Sequence, residues 1–404
     1  MKLALIIDDY LPHSTRVGAK MFHELACELI NKGHVVTVIT PHNDQNETLK
    51  VGKIDNVNIW QFKSGAIKDV SHATRALNES LLSLLGWRAI RHLIHTDTFD
   101  GVIYYSPSIF WGGLIKKIKK RCHCPAYLVL RDIFPLWAVD TGVIKKDSIV
   151  EKFFRYFERK SYDQAVRIGL MSENNRIQFA SQNPSRNCEV LRNWADIAPD
   201  NSLPSDYTSI RKSLGLKDKV IFFYGGNIGH AQDMTNLMRL TKSMQCYEQA
   251  HFLYVGQGDE VNLIKELAKQ WSLTNFTFLP SVNQKTFKAI LSEVDVGLFS
   301  LAANHKAFNF PGKLLGYMVQ SLPILGSVNA GNDLEQIINE NNAGYIHLNG
   351  EDDLLLKSAV RLMDDDKLRR TIGQSAFQLL NDEFSVASAA ESIEKALKES
   401  NEAH

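Results

Sequence analysis

Lys313 lies in Phe310-Pro311-Gly312-Lys313-Leu314-Leu315-Gly316-Tyr317, a segment that follows an apolar strand pattern and opens a helical one. A cation in the first turn of a helix meets the positive end of the macrodipole, so it is unfavourable there unless an anion pairs with it. Lys313 is therefore a candidate contact for a diphosphate; the plain alternative is an exposed lysine. Gly225-Gly226-Asn227-Ile228-Gly229 has the matching context, with a strand before it and a helix after. Bare backbone at such a turn lets N–H groups approach an anion closely. Gly18 marks the corresponding place in the first half of the chain. His230, just past the glycine turn, is placed to reach the same anion or a sugar attached to it, unless it only caps the following helix.

Other constellations carry less. Gly256-Gln257-Gly258 approaches a dinucleotide fingerprint, but Val261 stands where the third glycine belongs, and the first βα turn has only Gly18 and Ala19. Both departures argue against a nicotinamide enzyme. Cys122-His123-Cys124 is too closely spaced to close a tetrahedral site and has no second ligand pair nearby, so no metal is expected. His13 and Arg16 precede Gly18 in a loop where an acceptor would approach. Two stretches mix apolar and basic residues. In one, Phe110, Trp111, Leu114, Ile115 and Ile118 alternate with Lys116, Lys117, Lys119, Lys120 and Arg121. The other runs from Phe153 to Lys160. Each suits either an anionic membrane surface or a core-facing stripe with a solvated side.

Positioning these residues requires buried strands and the helices between them. Leu3 to Ile7 is a continuous apolar run of the kind found in parallel sheets. After it, Met21, Phe22, Leu25, Ala26 and Leu29 recur at helical spacing up to Gly33, and His34 to Thr40 reads as a second strand. Strands follow at Gly101 to Tyr105, Ala126 to Leu130, Val166 to Met171 and Glu189 to Leu191, with helical patterns at 72–95, 108–121 and 148–163. From Asn193 to Pro204 the pattern lapses into turn formers. A second series then begins with Lys219 to Tyr224, His251 to Val255 and Asn275 to Leu279. It continues with Val296 to Phe299, Pro323 to Leu325 and Gly344 to His347. The expected domains are 1–197 and 198–383, with a last amphipathic helix within 384–404 returning to the first.

The composition agrees. The chain has 404 residues, 46 lysines and arginines against 45 aspartates and glutamates, and 44% hydrophobic residues. That length favours two domains. The balance excludes a disordered chain and a broadly basic nucleic-acid binder. Five scattered cysteines make no disulfide framework, which points to a reducing compartment, by default the cytosol. No apolar run reaches the ~18 residues needed to span a bilayer, and the N-terminal apolar stretch ends at Asp8 and Asp9, too early for a signal peptide.

In order and spacing these motifs resemble the retaining glycosyltransferases of family 4. The similarity takes in the segment around Gly18, Arg131-Asp132-Ile133-Phe134-Pro135, Asn193-Trp194-Ala195-Asp196, Gly226-Asn227-Ile228-Gly229, Pro311 to Tyr317 and the terminal helix. The resemblance implies an α/β, GT-B fold: two Rossmann-like doubly wound parallel-sheet domains facing across a cleft. It also implies a UDP-sugar donor in the C-terminal half, an acceptor in the N-terminal half, and no metal or other cofactor. Bacterial O-antigen transferases of N-acetyl-L-fucosamine, which act on a lipid-linked saccharide, are the most similar subgroup. By this resemblance Lys313 and Gly226 to Gly229 face the diphosphate, and Ser281 and Val282 touch the base. Arg131 stabilises charge or binds the acceptor, with Asp132 as its partner.

The chain also departs from the family pattern. Many members carry two glutamates around the lysine helix, where this chain has Phe308 and Gly316, and an arginine in the phosphate loop, where it has Asn227. Ribose recognition must then differ. The alternatives are a UDP-sugar 2-epimerase on the same architecture and a catalytically silent sugar-binding protein.

Overall fold

The computed structural model describes residues 1–12, 14, 16–43, 46–68, 70–106, 108–131, 133–140, 142–195, 197, 207–304 and 311–402. His13, Asp132, Asp196 and Phe308, singled out above, lie outside the described residues. The chain divides into two compact units, Met1–Arg192 together with Val386–His404, and Asn193–Ser385.

The first unit is built on an eight-stranded sheet of β1 (Lys2–Ile6), β2 (Val35–His42), β3 (Leu49–Ile54), β4 (Val57–Lys63), β5 (Gly101–Ser106), β6 (Ala126–Leu130), β7 (Arg167–Leu170) and β8 (Cys188–Val190). The spatial order is β3-β4-β2-β1-β5-β6-β7-β8. All neighbours are parallel except β3, which runs antiparallel to β4. The strand order reverses between β1 and β5, and in open α/β sheets ligands bind outside the carboxyl ends of the strands at such a switch point. Sequence reading missed β3 and β4. β3 is almost wholly exposed, so it has no apolar run to betray it. Its hairpin turns on Asp55 and Asn56, both with positive φ (48° and 67°), as a two-residue turn of this hand requires.

The second unit holds a six-stranded, wholly parallel sheet of β9 (Val220–Asn227), β10 (Ala250–Gln257), β11 (Phe276–Pro280), β12 (Val296–Ser300), β13 (Ile324–Val328) and β14 (Gly344–Leu348). Its order, β11-β10-β9-β12-β13-β14, puts the switch point between β9 and β12. Both faces are covered. One core gathers Ile221, Phe223, Leu314 and Leu380, and the other Phe222, Tyr224, Leu237 and Leu362. Alternate residues of the same strand thus enter opposite cores, which is why these strands read as unbroken apolar runs.

The terminal helix Val386–Glu402 packs on the first unit. Lys32 Nζ meets Glu391 at 3.0 Å, His34 Nε2 meets Glu394 at 3.4 Å, and Asn401 donates to the Asp100 carbonyl at 3.3 Å. The apolar residues of 108–121 face inward: Phe110, Trp111, Leu114, Ile115 and Ile118 are all buried. Already out of water, these side chains have nothing left to gain from a membrane, so the core-facing alternative holds for them.

Candidate functional site

The glycine segment is positioned differently from a simple strand-turn-helix. β9 continues through Gly225, Gly226 and Asn227, and Gly229 leads into a short 3-10 turn, His230–Gln232, before the helix Met234–Ser243 begins. Gly225 and Gly226 are therefore the carboxyl end of the strand at the switch point. Gly225 is obligatory by volume, since a Cβ there would lie 2.6 Å from the Phe287 ring. Gly226 is obligatory by conformation, with φ at 116°. The Gly256-Gln257-Gly258 pattern has a packing cause. A Cβ at Gly256 would come 1.9 Å from the Gly226 carbonyl oxygen, and one at Gly258 would come 2.2 Å from that of Ile228. These glycines let β10 close on the end of β9.

Lys313 arrives at the same place from another element. It is the second residue of the helix Gly312–Val319, which follows β12 and begins beyond the undescribed residues 305–310. Tyr317, buried one turn on, locks that helix down. Its hydroxyl accepts from the Gly225 N–H at 3.2 Å and lies 3.2 Å from the Leu298 carbonyl, to which it donates. The ammonium of Lys313 sits 3.8 Å above the centre of the Tyr224 ring. A methyl group added at Gly226 would lie 3.8 Å from it. The side chain is half-buried, but Nζ itself is enclosed and has no hydrogen-bond partner among the described residues. Burial pushes its pKa down from 10.5 to about 7. Among the described residues this nitrogen thus has the face of an aromatic ring beside it and no acceptor to balance its charge.

The other residues of the segment form a rim. The Asn227 side chain donates to Gln232 Oε1 at 2.8 Å. His230 is largely exposed, and two carboxylates hold it: Nδ1 pairs with Glu260 Oε1 at 2.8 Å, and Nε2 lies 3.4 Å from Asp259 Oδ2. Glu260 also accepts the Met234 N–H at 3.3 Å, so the first amide of the following helix already has an anionic partner. Ser281 is exposed and donates to Gln257 Oε1 at 2.9 Å, beside the exposed Val282. The structure thus brings Gly225, Gly226, Asn227, Gly229, His230 and Lys313 to one end of the second sheet, with Ser281 joined to it through Gln257.

Gly18 and Arg131 belong to the first unit. Gly18 falls in the first turn of the helix Val17–Asn31, where a Cβ would make ordinary contact, 3.5 Å, with the Tyr105 hydroxyl. The buried guanidinium of Arg131 donates to the main-chain carbonyls of Leu191, at 2.5 Å, and Arg192, at 3.1 Å. It clamps the strand end where the chain leaves the first unit.

The first unit holds a polar cleft of about 360 Å³, lined by Asp8, Asp9, Arg16, Thr40, Gln61 and Lys68 among others, of which sequence reasoning singled out only Arg16 for an acceptor. Buried Asp8 takes Lys68 Nζ at 2.5 Å, and Ser14 donates to Asp9 at 2.6 Å. The Thr40 hydroxyl is buried with no partner among the described residues. Asp8 and Thr40 stand at the carboxyl ends of β1 and β2, so the signal was the polar residue that ends each apolar run. Near Cys122-His123-Cys124 both thiols are buried, Cys122 Sγ donating to the His95 carbonyl, while His123 is exposed at a left-handed turn. Among the described residues no group of three histidine, cysteine, aspartate or glutamate side chains could hold a metal ion.

Residues 206–379 match the family model for glycosyl transferases group 1. Among curated relatives, the probable glycosyltransferase WbjE of Pseudomonas aeruginosa is 27% identical over 222 residues, 54% of each chain. The N-acetyl-alpha-D-glucosaminyl L-malate synthase of Bacillus anthracis is 20% identical over 63% of this chain and 64% of its own. The match therefore spans between half and two thirds of these relatives' length. Among solved structures, Anabaena HepE in complex with UDP and glucose superposes with a TM-score of 0.62 at 15% identity, over 99% of this chain and all of the other. The fold is that of GT-B proteins, two parallel-sheet α/β units.

Proposed function

We propose that the chain is a glycosyltransferase that moves a sugar from a UDP-sugar to a saccharide acceptor. In this reading the donor binds at the carboxyl end of β9. The bond between the anomeric carbon and the diphosphate oxygen breaks, UDP leaves with the electron pair, and an acceptor hydroxyl forms the new glycosidic bond as its proton passes to the departing diphosphate. Lys313 neutralises the charge that grows on the leaving diphosphate, the kind of preorganised stabilisation that dominates many active sites. The observation that carries the reading is the enclosed ammonium of Lys313, without a hydrogen-bond partner among the described residues, against the bare backbone of Gly226. HepE, solved with UDP and glucose, and the group 1 match of residues 206–379 support the same donor class.

The polar cleft beside Asp8 and Thr40 fits a hydroxyl-rich acceptor, with a size and lining suited to one or two sugar rings. A finer reading rests on the order and spacing of the sequence motifs. In that reading N-acetyl-L-fucosamine passes with retention, and without metal, onto a lipid-linked saccharide during O-antigen assembly on the cytosolic side. The deciding experiment incubates the protein with UDP-N-acetyl-L-fucosamine, UDP-glucose or UDP-N-acetylglucosamine and a polyprenyl-linked saccharide, with product stereochemistry by NMR. Release of UDP that depends on acceptor is expected. UDP binding without transfer to any acceptor would leave a sugar-binding protein instead.

One observation favours a second reading. His230 between Asp259 and Glu260 provides the histidine and carboxylates that a UDP-sugar 2-epimerase uses to move the proton at C2. A new epimer formed from UDP-N-acetylglucosamine alone would establish that reading.

A further inference from the structure

The helices His72–Ile90, Gly112–Cys122 and Ile149–Tyr162 cover one face of the first sheet. Leu82 and Ile90 of the first, Leu114 and Ile118 of the second and Tyr162 of the third join a single core with Val102, Tyr104 and Leu128. The second helix lies between the other two. A Cβ at Gly112 would lie 2.5 Å from the Lys160 carbonyl oxygen, and one at Gly113 would lie 3.1 Å from Ser83 Cβ. Helices laid side by side on one sheet face turn their outer sides the same way, away from that sheet.

Those outer sides are unusual in two respects. The first helix exposes Leu77, Leu81 and Leu84, and the third exposes Ile149, Val150, Phe153 and Tyr156, the most open being Ile149 at 86%. Single exposed apolar residues are ordinary, but two stripes at helical spacing on one layer are not. Between them the middle helix exposes Lys116, Lys117, Lys120 and Arg121, with Arg88, Lys152 and Arg159 exposed on the flanking helices. No carboxylate is exposed on any of the three helices among the described residues. Glu79 is buried against Arg75 at 2.7 Å, and Glu151 and Glu158 turn to Arg155 at 3.3 and 3.2 Å. The whole chain carries a formal charge of only +1, so the excess is local.

We propose that this face docks on an anionic lipid bilayer, with the two apolar stripes entering the headgroup region and the middle helix set against lipid phosphates. An anionic bilayer satisfies both properties at once. A nucleic acid would neutralise the cations but leave the leucines in water. A second copy docked by the same face would bring like charges together with no carboxylate between them. The inference goes beyond the proposed function, and lipid binding is read without donor or acceptor, so it stands or falls separately from transfer.

The test sediments the full chain with vesicles of phosphatidylcholine alone or mixed with phosphatidylglycerol. Binding only to the mixed vesicles, weakening as salt rises, is expected. Lys116→Gln with Lys120→Gln, and separately Leu77→Ser with Ile149→Ser, should each lower it at least about fivefold. All four positions are exposed, and unchanged UDP affinity and melting temperature report that the variants are folded. Wild-type protein left in the supernatant with the mixed vesicles would overturn the proposal. So would binding that both variant pairs leave intact. Self-association that Leu77→Ser with Ile149→Ser abolishes, in a wild type that ignores vesicles, would overturn it in favour of a second copy.

Discussion

Replacing Lys313 with methionine should weaken UDP binding while leaving the unliganded protein as stable as before, or more so. The same ammonium is costly to bury and favourable to an anion. Enclosure takes its pKa from 10.5 to about 7. At 1.36 kcal/mol per unit that is about 3–5 kcal/mol against the charged form. The Tyr224 ring face, 3.8 Å away, offsets about 1–2 kcal/mol through its attraction for the cation. The sign follows from proton counting. Below pH 7 the folded lysine is charged and the cost is present in full. Between about pH 7 and 10.5 the unfolded chain holds the proton and the folded one does not, so stability rises with pH through that window. Lys313→Met removes the cost, and at pH 6 a gain of about 1–3 kcal/mol would raise the melting temperature by about 3–10 °C.

Donor binding should go the opposite way. A diphosphate beside Lys313 restores its proton, so at pH 8, where about nine tenths of the free protein has Lys313 neutral, binding should take up about 0.9 proton, falling to about 0.1 at pH 6. Calorimetry of UDP binding in buffers of different ionisation enthalpy reads this directly. In the methionine variant the uptake should vanish and Kd should rise at least about tenfold, or about 1.4 kcal/mol. Wild-type binding with no proton uptake at pH 8 would refute the reasoning. A variant that loses stability but keeps its UDP affinity would refute it equally.

Gly226→Ala should lower stability by about 1–3 kcal/mol, because its φ of 116° is strained for any side chain, and should weaken UDP binding with it; melting and calorimetry check both. Thr40→Val removes a buried hydroxyl that lacks a partner, so stability should hold or rise by about 1 kcal/mol while KM for a saccharide acceptor increases and KM for the donor does not. Arg131→Met leaves two buried carbonyls without their guanidinium and should cost about 2–4 kcal/mol in denaturant unfolding with UDP affinity unchanged. A stable Arg131→Met that loses transfer would instead support a charge-stabilising or acceptor-binding role.

What could be read from the chain was set by how local its cause is. The two parallel sheets were legible because strands buried on both faces leave continuous apolar runs, as in Val220 to Tyr224. Exposed β3 left none, and β4, with Val57, Ile59 and Phe62 buried but interrupted by polar neighbours, left only a broken one. The helix Gly112–Cys122 shows where amphipathicity stops being informative: spacing reveals an apolar side but not what covers it. Only the contact with the sheet shows that Leu114 and Ile118 are core residues. Meanwhile the open leucines of the neighbouring helix, Leu77, Leu81 and Leu84, read from spacing alone as an ordinary core stripe. The Asp8, Thr40 and Lys68 cleft comes from three segments with no motif in common. The clamp made by Arg131 depends on where β8 ends, some sixty positions later.

The carboxylates around His230 constrain where a diphosphate can lie. Glu260 already accepts the Met234 N–H, so a phosphate at the start of the helix that follows the glycine segment would meet a carboxylate where one of the free amides should be. Asp259 and Glu260 would each oppose a phosphate charge at about 4 Å by about 1–4 kcal/mol, across water-like to surface-like dielectrics. On the other side, between Gly226 and the helix Gly312–Val319, there is bare backbone and one enclosed ammonium. An anion entering the carboxyl end of β9 is therefore driven toward Lys313 and away from the rim. On the proposed function, His230, paired with Glu260, would then face the sugar end of the donor and not its phosphates. This division of labour also accounts for Asn227 standing where an arginine is common: once Lys313 is sealed beneath the turn, a second cation on the rim would be drawn to Asp259 before it reached a phosphate.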